Sequence, residues 1–199
     1  MARMVDTENW IQEGPAVALS VADVMSMDAP VRALDPLDRA RVAQDAMDKW
    51  GFAGVGVRRG DGWAGVFLVS SAAPRGHPLS AAGLSEDTAG LVLAYVDPPA
   101  VVAIGKRLCT GLSRRLRNQV SGVEAQASSA GLATPLAPSA LWLAQMGFQP
   151  MRYPLNRYRL DFSSMAAWVQ KRLTWHPHPV FSLSGQTASR AAQHVASDS

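Results

Sequence analysis

An uninterrupted apolar segment leads into an amphipathic helix near the middle of the chain. Residues 89–96 read AGLVLAYV, a composition typical of a buried β-strand. The prolines Pro98 and Pro99 end it, because proline has no backbone N–H to donate to a sheet. After them, apolar residues recur at helical spacing at Ile104, Leu108, Leu112 and Leu116. The sequence therefore predicts a strand, a tight loop and a helix that buries one stripe and keeps a basic face in water.

The segments before this unit predict a strand, a helix and a β-hairpin. Residues 16–21 are expected to form the first strand, followed by a Met-rich connector at residues 25–27 whose shape the sequence leaves open. Asp35 is a good helix N-cap with Pro36 at the first helical position, and Gly51 is expected to end that helix. The hairpin joins residues 52–57 to residues 63–69.

The segments after the hairpin complete a mixed α/β pattern. Residues 70–87 are rich in Ala, Pro, Gly and Ser and predict an extended connection with a mobile tip. Residues 120–127 predict a strand, and residues 138–146 a short helix closed by Gly147. A last strand region spans residues 153–162 and is broken by Pro154. The expected architecture is a mixed, mostly antiparallel central sheet flanked by helices.

Length and composition favour one domain with short tails. A chain of 199 residues that is 48% hydrophobic can bury a sizeable core. We expect an N-terminal tail at residues 1–14, a domain at residues 15–175 and a flexible tail at residues 176–199. Residues 182–199 contain few large apolar side chains, which is typical of disorder.

Charge, cysteine content and hydropathy exclude several functional classes. The net charge of +3 is too mild for a dedicated nucleic-acid binder, although it suits small anionic ligands. The single cysteine, Cys109, excludes an internal disulfide and is consistent with a reducing cytoplasm. No apolar run approaches the roughly 20 residues that cross a bilayer, and the N-terminus does not resemble a signal sequence. These features predict a soluble, cytoplasmic protein.

The order of the predicted elements resembles the GCN5-related N-acetyltransferase (GNAT) superfamily. The likeness extends from about Val17 to Phe162 and includes the helix ending in Gly147-Phe148 and a closing strand at residues 158–162. Shorter matches resemble a bacterial subfamily whose closing strand is followed by a helix containing Trp, here Trp168 or Trp175; they lie at residues 50–54, 85–88, 123–125 and 157–160.

The resemblance implies that acetyl-CoA binds along the strand and the loop that follows it. With Gly105 matched to the last Gly of the family's R/Q-x-x-G-x-G/A signature, Ala100 replaces the Arg or Gln and Ala103 replaces the first Gly. The first turn of a helix still offers unpaired N–H groups and a partial positive charge, which suit a pyrophosphate. The residues expected to hold acetyl-CoA are Tyr95, Val96, Val102, Ala103, Ile104, Gly105, Lys106 and Arg107.

The resemblance also implies direct attack of an amine on the thioester, with a carboxylate or a water as base. Glu124 is the preferred base, because it lies on a strand next to the expected cofactor; the alternative is that Glu124, Gln126 and Ser128 line a solvated sheet face. Glu86, Asp87 and His77 are further candidates, with His77 otherwise an exposed loop residue. Members of the family often protonate the departing thiolate with a Tyr from the late short helix, but Leu143 occupies that position.

Several other features have simpler explanations. Arg114, Arg115 and Arg117 could meet a phosphate, but a solvated helix face is the favoured explanation. His176 and His178 have a spacing compatible with metal binding, but no second cluster of ligands accompanies them, and a proline-punctuated tail is favoured. We therefore expect no metal site. Trp142 is expected to anchor its helix to the core.

Two functional hypotheses follow. The first is an acyl-CoA-dependent N-acetyltransferase that moves an acetyl group from acetyl-CoA to an unidentified amine. The second is a catalytically inactive GNAT-like module that acts in protein–protein interaction. A homodimer or a protein partner is compatible with both, and neither requires a membrane.

Overall fold

A single mixed sheet organises the chain. The structure is a computed structural model, and it describes residues 14–27, 33–97, 102–129 and 133–163. The strands are β1 (Val17–Leu19), β2 (Gly54–Arg59), β3 (Gly62–Ser70), β4 (Thr88–Val96), β5 (Gly122–Gln126), β6 (Gln149–Pro150) and β7 (Arg157–Asp161). They lie in the order β1-β2-β3-β4-β5-β7-β6, and β4 with β5 is the parallel pair among antiparallel neighbours. The predicted fold class is therefore confirmed.

The helices begin and end where local chemistry requires. They are α1 (Val21–Ser26), α2 (Pro36–Trp50), α3 (Val102–Leu116) and α4 (Ala140–Gln145). The Asp35 carboxylate accepts the N–H groups of Leu37 and Asp38, as expected of the N-cap of α2. Gly51 ends α2 with a φ of 78°, a left-handed conformation that glycine adopts without a Cβ penalty. Where the sequence left the Met-rich connector open, the structure has α1, which Ser20 caps together with Asp23.

Two hydrophobic cores lie on opposite faces of the sheet. The apolar stripe of α3 is fully buried against one face, together with Trp142 and Leu143 of α4. The other face is covered by Leu19 of β1, Val42 of α2 and further buried residues of both α1 and α2. This arrangement confirms the predicted orientation of α3.

The connection between β3 and β4 differs from its prediction. Instead of an extended segment, residues 71–87 fold back over the sheet and include a 3-10 turn at Pro78–Ala81. Leu79 is fully buried, and Leu84 packs over Gly90 of β4. The prediction failed because buried polar side chains from distant strands, described below, hold this segment down. Among the described residues, no helix is long and apolar enough to cross a membrane.

Candidate functional site

The sheet opens where β4 and β5 separate. Their parallel pairing covers residues 88–90 of β4 against residues 122–124 of β5, after which β4 continues to Val96. A cavity of about 290 Å³ lies beside this second half of β4. It is lined by Ala94, Tyr95, Val96, Ala133, Thr134, Pro135, Pro138, Ser139 and Trp142. Its walls are mostly apolar, as is usual for small-molecule sites.

Two aromatic residues line the cavity. Trp142 of α4 is 8% exposed and makes an edge-on contact with Phe67, with ring centroids 5.9 Å apart. Tyr95 of β4 is half-buried, and its side chain packs with the core on the other face of the sheet. Burial raises the pKa of Tyr95, and the neighbouring Asp97 carboxylate adds to the effect. The Tyr95 phenol therefore stays protonated at neutral pH.

Gly105 lies at a contact between helices. A Cβ built on it would clash with Met146 Sδ and meet Trp142 Cζ2 at 3.0 Å. Gly105 itself is buried, so its missing side chain lets α4 approach the first turn of α3. The sequence matches Gly105 to the last Gly of the signature, and the structure gives a second reason for a glycine there, namely the close contact between α3 and α4.

The eight residues predicted to hold acetyl-CoA occupy different environments. Tyr95 and Val96 line the cavity. In α3, Val102 and Arg107 are half-buried, Ala103 and Lys106 are exposed, and Ile104 is fully buried in the core. The first turn of α3 is linked to the cavity through Trp142, which contacts Gly105 and also forms part of the wall. Ala100, with Pro98 and Pro99, lies outside the described residues.

A segment of the chain itself contacts the open edge of β4. The backbone N–H of Ala94 donates to the carbonyl oxygen of Pro135 at 2.7 Å. Pro135 belongs to a tight turn, Thr134 to Ala137, closed by two backbone hydrogen bonds of 3.0 and 3.1 Å. The sequence analysis did not identify Pro135 as a site residue, although a proline after Thr134 is a recognisable turn signal.

Glu124 is enclosed in a buried ion pair. Its Oε2 accepts a hydrogen bond from Arg157 Nη1 at 2.9 Å, and both side chains are 1% exposed. The backbone N–H of Ser85 donates to Glu124 Oε1 at 3.3 Å. The alternative of a solvated sheet face is therefore wrong for Glu124. Its role as the base stays a prediction; Glu124 pairs with Gly90, four residues before Ala94, or about 13 Å along the strand.

Arg157 has a structural role that the sequence did not reveal. Its guanidinium also donates to the carbonyl oxygens of Gly83 at 2.8 Å and Leu79 at 3.1 Å, and to Gln126 Oε1 at 3.2 Å. It thereby ties the β3–β4 connection to strands β5 and β7. The strand that contains it reads RYRLD, so nothing in the local sequence distinguishes Arg157 from the charged residues Arg159 and Asp161 beside it.

The other candidate bases lie away from the cavity or are fixed in place. Glu86 and Asp87 are exposed just before β4 begins, at the end opposite Val96. His77 is 4% exposed, so its interpretation as an exposed loop residue is wrong. Its Nε2 contacts the carbonyl oxygen of Val92 at 2.8 Å, and its Nδ1 accepts the N–H of Leu79 at 3.1 Å. Because Nδ1 accepts, Nε2 carries the proton and donates to Val92.

No group of three or more His, Cys, Asp or Glu side chains suited to a metal ion occurs within the described ranges. His176 and His178, together with Trp168 and Trp175, lie outside these ranges.

The mixed, mostly antiparallel sheet flanked by helices is the arrangement that the resemblance to GNAT proteins implied. The chain has a GNAT-like fold.

Several proteins of known structure are similar to this chain. Ard1 from Thermoplasma volcanium has a TM-score of 0.47 and 14% identity, over 74% of this chain and 94% of that protein. A GNAT-family acetyltransferase from Brucella melitensis, in complex with acetyl-CoA, has a TM-score of 0.45 and 12% identity, over 75% and 88%. A GNAT-family protein from Desulfovibrio desulfuricans has a TM-score of 0.41 and 16% identity, over 71% and 88%. All three TM-scores are below 0.5. The GNAT-like fold is therefore identified by the sheet order of this chain and its parallel β4–β5 pair.

No protein-family model and no curated protein matches the sequence.

Proposed function

We propose that the protein is an acyl-CoA-dependent N-acetyltransferase of the GNAT superfamily that binds acetyl-CoA in the cavity beside β4. The observation that carries the proposal is the position of this cavity. It lies where the parallel pair β4–β5 separates, next to the first turn of α3. The apolar wall formed by Ala94, Val96 and Trp142 suits the arm and the acyl group of the thioester.

The first turn of α3 is suited to bind the phosphates of acetyl-CoA. The helix begins at Val102, five residues after Asp97, so its N-terminus lies at the end of β4 that borders the cavity. Exposed backbone N–H groups and the partial positive charge of a helix start favour anions. Lys106 is exposed on the second turn and adds a full charge. In this proposal Gly105 contributes indirectly, by allowing Trp142 to reach the cavity.

The reaction is a direct transfer. The amine nitrogen attacks the thioester carbonyl, the C–N bond forms, the C–S bond breaks, and the amine proton passes to a base. Since the Glu124 carboxylate is paired with Arg157 and does not line the cavity, water is the simpler proton acceptor. Leu143 is fully buried in the core and supplies no phenol. The Tyr95 side chain packs with the core on the face of the sheet opposite Trp142, so the thiolate of coenzyme A departs as the anion and takes its proton from water.

The second candidate is a non-catalytic GNAT-like module in protein association. The hydrogen bond from Ala94 to Pro135 favours it, because a backbone group that a ligand would use is already satisfied. Exposed apolar side chains on α4 and in the β6–β7 connection offer a surface for a partner: Leu141, Tyr153 and Leu155. A cytoplasmic location, a homodimer and the domain limits at residues 15 and 175 stay predictions.

Thermal unfolding with acetyl-CoA tests the enzyme proposal. A ligand at about 100 times its dissociation constant stabilises the native state by about 2.7 kcal/mol. For a domain of this size that raises Tm by about 5–11 °C. Lys106→Glu should reduce the shift, whereas Arg114→Glu makes the same charge change at the exposed far end of α3 and should preserve it. No shift with millimolar acetyl-CoA would contradict the proposal and favour the interaction module.

A further inference from the structure

The turn from Thr134 to Ala137 lies against β4 at a position where the sheet has no strand. Beyond Gly90, the edge of β4 that faces β5 is not paired with a strand in the described part of the chain. The carbonyl oxygen of Pro135 accepts the N–H of Ala94 at this edge. Both residues also line the cavity. The turn therefore occupies part of the surface that opens when the strands separate.

An unpaired strand edge is itself a binding surface. Extended ligands that contain amides can hydrogen-bond such an edge in the manner of an added strand. The arm of coenzyme A is a chain of this kind, with two amide groups. An amide oxygen of the ligand and the Pro135 oxygen cannot both accept the same N–H of Ala94 with good linear geometry.

From this overlap we infer that the Thr134–Ala137 turn is an autoinhibitory contact, which an acyl-CoA thioester must displace from Ala94 in order to bind along β4. The inference rests on the proposed function, because it concerns the same cavity and the same ligand. The ligand must compete with the Pro135 oxygen for the Ala94 N–H, and this competition lowers the apparent affinity of the protein for the thioester. Binding is not abolished, because the hydrogen bond that is lost is replaced by one to the ligand.

The turn is closed by its own hydrogen bonds, and Leu136 packs against the core. Its closing bonds are internal, since Thr134 N donates to Ala137 O and Ala137 N donates to Thr134 O and to Thr134 Oγ1. Thr134 is exposed, and Pro135 and Leu136 are half-buried. The segment that follows is fixed, because Pro138 is buried and its carbonyl oxygen accepts the N–H of Ser128 at 2.9 Å. The Thr134–Ala137 turn can therefore separate from Ala94 while α4 stays folded.

Two substitutions loosen the turn in different ways. Pro135→Gly frees the φ angle that proline fixes. Thr134→Val keeps the shape of the side chain but removes the hydroxyl that accepts Ala137 N–H. The matched control is Pro36→Gly, the same change at the exposed first residue of α2. Amide exchange at Ala94 in the free proteins, followed by NMR, should be faster in the two turn variants than in the wild type and the control.

Calorimetric titration with acetyl-CoA then tests the inference. We expect each turn variant to bind about two- to fivefold more tightly than the wild type, and Pro36→Gly to match the wild type. Equal or weaker binding by both, with binding by the wild type intact, would overturn the autoinhibitory contact and leave the proposed function standing. Absence of binding in every variant at millimolar acetyl-CoA would overturn the proposed function and the inference with it.

Discussion

At the scale of single residues, Gly105 shows that one glycine can satisfy two different patterns. In the sequence it occupies the last position of a phosphate-binding signature. In the structure its missing Cβ accommodates Met146 and Trp142. The two explanations make different predictions for the same substitution.

Gly105→Ala is expected to destabilise the protein by about 1–3 kcal/mol, because overpacking at the helix contact outweighs the better helix propensity of alanine. Urea unfolding measures this change. In the double variant Gly105→Ala/Met146→Ala, the cost should be less than the sum of the two single changes, since the clashing side chain is absent. A stable Gly105→Ala protein that loses acetyl-CoA affinity would instead indicate a phosphate contact.

His77 predicts a pH dependence of stability. Burial lowers its pKa from the ordinary value of 6.5, and the positive Arg157 adds to this, whereas the Val92 carbonyl and Asp38 oppose it. Since the unfolded state then binds the proton more readily, the contribution is complete above pH 6.5 and is lost as the pH falls below that value. The loss from this group is at most about 1.4 kcal/mol per pH unit.

Unfolding free energies at pH 7.5 and pH 5 test this effect. His77→Asn can still accept the Leu79 N–H but cannot be protonated, so its stability should decrease less between the two values. Equal decreases in the wild type and the variant would assign the pH dependence to other groups.

At the scale of elements, the β3–β4 connection is held on the sheet by the Glu124–Arg157 pair. Arg157 satisfies two carbonyl oxygens of the connection, and Glu124 accepts a backbone N–H from it. A buried ion pair gains little over an apolar pair, but the loss of one partner leaves an uncompensated charge. The pair therefore specifies where the connection lies.

Arg157→Met and Glu124→Gln should each destabilise the protein, with Arg157→Met costing about 3–5 kcal/mol. Thermal unfolding measures both, and 3 kcal/mol corresponds to a Tm decrease of about 6–12 °C. If Glu124 is also the catalytic base, Glu124→Gln would in addition lose acetyl transfer at temperatures where the variant is still folded. This comparison separates the two roles of Glu124.

At the scale of the whole molecule, local patterns predicted the sheet and the helices well. The cap at Asp35, the stripe of α3 and the helix ending near Gly147 depend on residues close in sequence, so the chain itself reveals them. The fold class followed from their order.

The contents of the site were harder to predict, because they depend on residues far apart in the chain. Arg157 reaches the carbonyl of Leu79 across 78 residues, and Pro135 meets Ala94 across the gap in the sheet. Such contacts have no local periodicity. The burial of Glu124 and His77 likewise results from a connection whose composition indicated only a loop.

Hydrogen–deuterium exchange with and without acetyl-CoA tests the central claim most directly, because it reports where the ligand binds. The account predicts increased protection of residues 91–96 in β4 and of the first turn of α3, with altered exchange in residues 133–142. It also predicts little change in β1, β2 and α2, which lie away from the cavity. Unchanged exchange throughout, or protection confined to another surface, would contradict an acyl-CoA site beside β4.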